Sequence, residues 1–301
     1  MKPLLYAFPG QERVACALAR ELDAEQGTLQ LRRFPDGEDY LRMITDPAGR
    51  HVVLVCGLDR PDEKCLPVYF AACTARELGA ARVGLVAPYL GYMRQDARFN
   101  PGEAITSIHF ARWLSQFLDW IVTVDPHLHR HPTLDSIYSI PAAVAAAAPA
   151  ISQWLRTHVH DALLIGPDAE SAQWVGQIAA DARCPFIVSS KQRRGDRDVE
   201  VSLPDPGPWR DHRPVLIDDI ISTAHTMIAA IAQLRHAGVS KPPLCVGVHA
   251  LFAGDAYSAL TRAGAAEIVT CNTVEHPSNA IDVAPQIVQA VLRILDGQTA
   301  G

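Results

Sequence analysis

The chain has 301 residues, 49% hydrophobic and 20% charged, with a formal net charge of −6. That length and balance describe a globular chain with material for two cores, and the mild acidity excludes a generally basic surface for nucleic acid, so any anion site is built by local geometry. The seven cysteines, at 16, 56, 65, 73, 184, 245 and 271, include no C-x-x-C pair and read as reduced structural thiols of a cytoplasmic protein.

In chain order, MKPLLYAFPG has one Lys and only a short apolar run before Pro9, which reads as no export signal. Apolar runs of strand length then recur at HVVLVCG (from 51), ARVGLVAPY (81), WIVTVDP (120), ALLIGPD (162), CPFIVSS (184), RPVLIDD (213), PLCVGVHALF (243) and AEIVTCN (266). They are apolar on both faces, as buried parallel strands require. Helix-period segments lie between them: EKCLPVYFAACTARELGA ending at Gly79, SIHFARWLSQFL from Ser107, ESAQWVGQIAADA from Glu170 and MIAAIAQLRHAG ending at Gly238. PAAVAAAAPAI, residues 141–151, is far below the roughly 20 residues of a membrane span and reads as a small alanine-rich helix.

The alternation predicts an α/β chain of two doubly wound parallel-sheet domains, residues 1–145 and 146–301, related by duplication because the rhythm occurs twice. Ligands of such sheets bind at the carboxyl ends of the strands. That rule selects residues 88–103, 125–131, 168–171, 189–197 and 218–226, each polar or charged just after an apolar run.

VLIDDIISTAHTM, residues 215–227, is the most informative of these. It predicts a strand ending at Ile217, a turn, and a helix with Met227, Ile231 and Leu234 on one face. Ser222, Thr223, Ala224, His225 and Thr226 then occupy the helix N-terminus, where free amides and hydroxyls suit a phosphate. Asp218 and Asp219 repel that phosphate but accept hydrogen bonds from hydroxyls, and a sugar phosphate supplies both groups. Asp as turn residue and Ser or Thr as N-cap is the alternative, and the weaker one even when the stretch is taken alone.

This stretch resembles the phosphoribosyl-pyrophosphate loop of type I phosphoribosyltransferases and ribose-phosphate pyrophosphokinases. Five further segments resemble the pyrophosphokinase branch. RRFPDGE, residues 32–38, contains a strong turn signal and is similar to that family's adenine-binding element, which implies adenine contacts for Phe34, Asp36 and Glu38, commonly across a subunit interface. PYLGYMRQDARFNPGEAI, residues 88–105, is similar to its Arg-Gln-Asp stretch, which implies ATP contacts for Arg94, Gln95, Asp96 and Arg98; Ala97 stands where the family often has a basic residue. VDPHLHRHP places His127, His129 and His131 on one side of an extended segment, compatible with a transition metal or, singly, with hydrogen-bonding loop histidines. The resemblance implies contact with magnesium–ATP for His127 and leaves His129 and His131 without a role. GPDAES matches the family's strand-end Pro-Asp, which implies Asp168 as a ligand of Mg²⁺, directly or through water. SSKQRRGDRDVEV, from Ser189, is a basic hairpin between two expected strands, and its resemblance to the family's mobile loop implies catalytic roles for Lys191 and Arg193.

The resemblance implies transfer of the β,γ-diphosphoryl group of MgATP to O1 of ribose 5-phosphate by a cytoplasmic homo-oligomer, a dimer or multiple of dimers. Asp218 and Asp219 hold the ribose, and the loop from Ser222 to Thr226 holds the 5-phosphate. Ser222 stands where many family loops carry an acid and His225 where they carry Gly. Two alternatives stay open: a phosphoribosyltransferase, which needs neither the Phe34 element nor the Arg-Gln-Asp stretch, and a non-catalytic homologue, expected to lose Lys191, His127 or Asp168. No nucleic-acid or membrane partner is expected.

Overall fold

A computed structural model of the chain describes residues 2–128, 130–193, 199–202, 204–205 and 207–297, and of residues 190–193 and 199–202 the backbone alone. Two compact units emerge: Met1–Ala146 with Ala284–Gly301, and Ala147–Val283.

In the first unit the chain passes through β1 (Leu4–Ala7), α1 (Glu12–Glu21), β2 (Glu25–Gly27), β3 (Leu29–Arg33), β4 (Asp39–Met43), β5 (His51–Val55), α2 (Pro61–Glu77), β6 (Arg82–Ala87), α3 (Thr106–Leu114), β7 (Trp120–Val124) and β8 (Ala142–Ala145). The main sheet is parallel, in the order β2-β1-β5-β6-β7-β8, while β3 and β4 form a separate antiparallel hairpin. Burial explains the central strands: all of Val52–Val55 and Trp120–Val124 are buried, so helices must cover both faces. Gly84 in β6 makes room for the neighbouring Trp120, whose ring lies 1.9 Å from where a Cβ at Gly84 would stand.

The second unit repeats the plan with α4 (Ala148–His158), β9 (Ala162–Gly166), α5 (Ala172–Ala182), β10 (Phe186–Val188), β11 (Ser190–Arg193), β12 (Val199–Ser202), β13 (Arg213–Ile221), α6 (His225–His236), β14 (Leu244–Ala250), α7 (Ala256–Ala263), β15 (Glu267–Cys271) and β16 (Asn279–Ile281). Its parallel sheet runs β10-β9-β13-β14-β15-β16, with β11 and β12 as the separate hairpin. Strand for strand this is the order of the first unit, with the hairpin at the same point in the chain. Duplication, inferred above from rhythm alone, is therefore visible as shared topology.

The helix after the last strand of each sheet deepens the correspondence. α4 follows β8 and packs along α5 in the second unit, whereas α8 (Ala284–Leu295) follows β16 and packs on α1, β7 and β8 in the first. A division at residue 145 assigns α8 to the second domain; its apolar face, with Ile287, Val291 and Ile294, is buried in the first unit instead.

The alanine-rich stretch needs correction. Ala142–Ala145 is not helical but forms strand β8, paired in parallel with Ile121–Val124. The helix starts only at Ala148, with Pro149 in its first turn, where a missing N–H costs nothing. Small residues suit either state, and the free edge of β7 decides. Among the described residues no helix is long and apolar enough to cross a membrane.

Candidate active site

Strand order reverses beside β9 in the second unit: β10 lies on one side and β13 on the other. Such a switch point leaves a crevice at the carboxyl ends. Gly166, Pro167, Ser189, Asp218 and Thr226 line a small pocket there, over apolar side chains that include Leu216 and Met227. Gly166 permits the close approach, since a Cβ would stand 2.8 Å from Ser171 Oγ.

β13 is longer than the sequence suggests. Instead of turning after Ile217 it continues to Ile221, because β14 runs alongside and pairs Asp218 with Gly247, Ile220 with His249 and Ile221 with Ala250. Asp218 and Asp219 are therefore half-buried strand residues rather than turn residues. Each folds onto the chain that follows: the Asp219 amide donates to Asp218 Oδ1 at 3.0 Å, and the Ile220 amide to Asp219 Oδ1 at 2.8 Å. Ile221 is anchored from two sides. Its side chain lies over Gly247, and its carbonyl accepts from the amides of Leu251 and Phe252 at 3.1 and 2.9 Å.

Ser222 and Thr223 then lead to Ala224, whose φ of +59° is left-handed, and α6 begins at His225. An alanine in that region is strained by about 1–2 kcal/mol. The N-cap residue, Ala224, has no side chain to cap α6, which leaves the helix start suited to an anion. Thr226 is half-buried at the first turn, while Thr223 and His225 are exposed. A strand end with two carboxylates, followed by an uncapped helix N-terminus with hydroxyls, matches a polyol phosphate.

Asp168, at the end of β9, caps the short helical turn Ala169–Ser171: its Oδ1 accepts from the Ser171 amide at 3.2 Å, and Ser171 Oγ donates back to the Asp168 carbonyl at 2.6 Å. β11 and β12 pair in antiparallel, Lys191 opposite Val201 and Arg193 opposite Val199. The side chains of Lys191 and Arg193, and residues 194–198 between the strands, lie outside the described residues.

In the first unit, Phe34, Asp36 and Glu38 form the exposed turn of the β3–β4 hairpin, closed by the Phe34 amide on the Glu38 carbonyl at 2.8 Å. Gly37 takes φ +95° there. The Arg32 guanidinium lies 4.4 Å from the Phe34 ring centroid and 4.2 Å from that of Tyr40. After β6, Arg94, Gln95 and Arg98 are exposed but Asp96 is buried. Asp96 Oδ1 accepts from Arg130 at 3.0 Å, so this carboxylate straps the Arg94–Arg98 loop to the loop after β7. Arg98 Nε donates to the Glu103 carbonyl at 2.8 Å. The Glu103 carboxylate accepts from Asn100 and from the Phe99 amide, and the Asn100 side chain, more than the backbone, holds its pKa below the ordinary value. His127 is half-buried, His131 lies 3.1 Å from Ser107 Oγ, and His129 is outside the described residues.

Comparison with known proteins resolves the branch left open by the loop. Residues 4–117 match the model of the N-terminal domain of ribose phosphate pyrophosphokinase, and residues 133–287 that of the phosphoribosyl transferase domain. A ribose-phosphate pyrophosphokinase of Methanopyrus kandleri is 34% identical over 277 residues, 91% of this chain and 93% of the relative. The chain belongs to the ribose-phosphate pyrophosphokinase family. The family protein of Methanobrevibacter smithii is 28% identical over 92% of this chain and 96% of its own. The crystal structure of phosphoribosylpyrophosphate synthetase from Mycobacterium smegmatis superposes with a TM-score of 0.83 over 98% of this chain and all of that one, at 21% identity, and shows the same fold.

Within this pyrophosphokinase chain the two switch points differ. At the first unit's, between β1 and β5, the loops that follow these strands carry buried Phe8 and Leu58, and α2 opens with Asp62 and Glu63. Apolar filling and acids at the helix start disfavour phosphate there. Ser189, which opens the selected stretch 189–197, lines the pocket without having been given a role of its own, and the Leu251–Ala253 turn that anchors β13 went unrecognised in the sequence. Gly254 after an apolar run was the available signal for that turn.

Proposed function

We propose that the chain is a ribose-phosphate diphosphokinase that transfers the β,γ-diphosphoryl group of MgATP to O1 of ribose 5-phosphate. The products are phosphoribosyl pyrophosphate and AMP. The observation that carries this reading is the second unit's crevice, where paired carboxylates run into an uncapped, hydroxyl-bearing helix N-terminus.

In the proposed reaction the O1–Pβ bond forms as the bond from Pβ to the bridging oxygen breaks. That oxygen leaves on AMP, and the anomeric hydroxyl gives up its proton. Positioning and charge neutralisation do most of the work in such a displacement. Asp218 and Asp219 accept from the ribose hydroxyls. Ser222, Thr223, Thr226 and the amides of Ala224 and His225 receive the 5-phosphate. Arg94, Gln95 and Arg98 face the triphosphate, with Asp96 holding their loop from within. Lys191 and Arg193 stabilise charge on the transferring group. Phe34, Asp36 and Glu38, on an exposed hairpin turn, suit presentation of an adenine contact to a second copy of the chain, and so a homo-oligomer working in the cytoplasm.

Mg²⁺ fits this donor set. The described residues hold no cluster of three or more potential ligands, and a hard ion that keeps several waters needs only one or two protein groups besides substrate phosphates. Asp168 is proposed to hold it in the second unit, and His127 is proposed to contact magnesium–ATP in the first. When bound, the ion neutralises charge on the triphosphate.

Incubation with MgATP and ribose 5-phosphate tests the reading. AMP that appears only with the sugar phosphate is expected. No AMP despite ATP binding overturns it, as does nucleotide formation from phosphoribosyl pyrophosphate and a free base.

A further inference from the structure

Phe252, in the turn after β14, carries an unusual combination. Its φ is +36°, a region that a bulky L-residue occupies only under compulsion from its surroundings. The surroundings are two rings, Tyr257 at 5.2 Å and His276 at 4.5 Å between centroids, with Tyr257 and His276 themselves 5.0 Å apart. His276 is in turn fixed by neighbours on its own loop: Nδ1 lies 2.7 Å from Ser278 Oγ, and its amide donates to Asn279 Oδ1 at 3.0 Å. Asn279 also donates to Thr270 Oγ1 and to the Cys271 carbonyl.

The consequence of this turn lies on the neighbouring strand. The Phe252 amide donates to the Ile221 carbonyl at 2.9 Å and the Ala253 amide to the Ser222 carbonyl at 3.1 Å. Those two carbonyls sit between the Asp218–Asp219 pair and the Thr223–Thr226 cradle. With the ring cage intact, the first residue of the cradle is held where β13 leaves the sheet. An extended turn points these amides elsewhere.

We infer that Phe252 is a positioning residue for the ribose-phosphate loop: its caged ring maintains a left-handed turn whose amides set where the phosphate cradle begins. The inference rests on the proposed binding role of that loop. Loss of two such hydrogen bonds corresponds to about a tenfold change in affinity.

Steady-state kinetics of Phe252→Ala, Phe252→Tyr and Tyr257→Ala test it, with Thr226→Val as a control on the loop itself. Phe252→Ala is expected to raise KM for ribose 5-phosphate about tenfold and leave KM for ATP unchanged, while Phe252→Tyr restores the wild-type value. Faster hydrogen exchange at the Ala253 amide accompanies the rise. If Phe252→Ala does not fold, Tyr257→Ala, which removes one exposed wall of the cage, carries the same expectation. Unchanged KM for ribose 5-phosphate in Tyr257→Ala or Phe252→Ala, or an equal rise in both KM values, overturns the inference. If Thr226→Val also leaves ribose 5-phosphate affinity unchanged, it is the loop assignment that fails.

Discussion

Gly247→Ala puts the anchoring of β13 to a quantitative test. A Cβ at Gly247 would stand 2.6 Å from Ile221 Cδ1 and 2.7 Å from Cγ1. Ordinary carbon contacts are about 3.5–4.0 Å, so roughly 1 Å of overlap has to be absorbed. Ile221 has little room to yield, because it is 1% exposed and its carbonyl is held by two amides. Overpacking of this kind costs about 1–3 kcal/mol, a fall in Tm of about 2–12 °C for a domain of this size. Because Gly247 pairs with Asp218, the displacement also reaches the carboxylates, and KM for ribose 5-phosphate rises. Ile221→Val removes the tighter contact. Alone it costs about 0.5–1.5 kcal/mol, but in the Gly247→Ala background it removes the Cδ1 part of the clash and leaves the Cγ1 contact, so the double variant is more stable than the sum of the singles by about 0.5 kcal/mol. Urea unfolding of the four proteins measures the cycle. An additive cycle, or a Gly247→Ala protein with wild-type Tm, refutes the close-approach argument.

Other outcomes follow from the same structure. Lys191→Ala lowers kcat by about 10³-fold or more with little change in Tm, read by AMP release; near-normal turnover removes the hairpin from catalysis. Burial pushes the Cys56 and Cys245 thiols each up to about 12, so a maleimide modifies exposed Cys16 first and reaches these two only on unfolding, as peptide mapping of partly labelled protein shows. Burial also lowers the pKa of His276 below 6.5, so the unfolded chain binds this proton more tightly than the folded one. Its contribution to stability is full above pH 6.5 and is lost as pH falls below it. Thermal melts of His276→Gln should therefore show a shallower decline on acidification than wild type.

The sequence was most legible where one physical signal dominated. HVVLVCG, WIVTVDP and ALLIGPD are apolar on both faces and could only be central strands. β2, β3, β4 and β16 escaped because they are short and lie at a sheet edge or in a hairpin, where exposed Glu25 and Gln26 and half-exposed Asn279 carry no apolar run. Ala142–Ala145 was misread because alanine prefers neither state strongly enough to overrule an open sheet edge. In the candidate site, acidic and hydroxyl residues after a strand were recognisable by type and order. The length of β13 was not, since Ile220 and Ile221 read equally well as a turn or as a continuing strand until β14 is alongside. The burial of Asp96 was likewise hidden, because nothing near it in the chain announces Arg130.

The most direct test of the central claim follows two labels through one reaction, with ATP labelled at the α phosphate in one arm and at the γ phosphate in the other, in the presence of Mg²⁺ and ribose 5-phosphate. The account predicts the α label in AMP and the γ label, in equal amount, in the sugar product. Label in ADP, or γ label released as free phosphate without a sugar diphosphate, would contradict it.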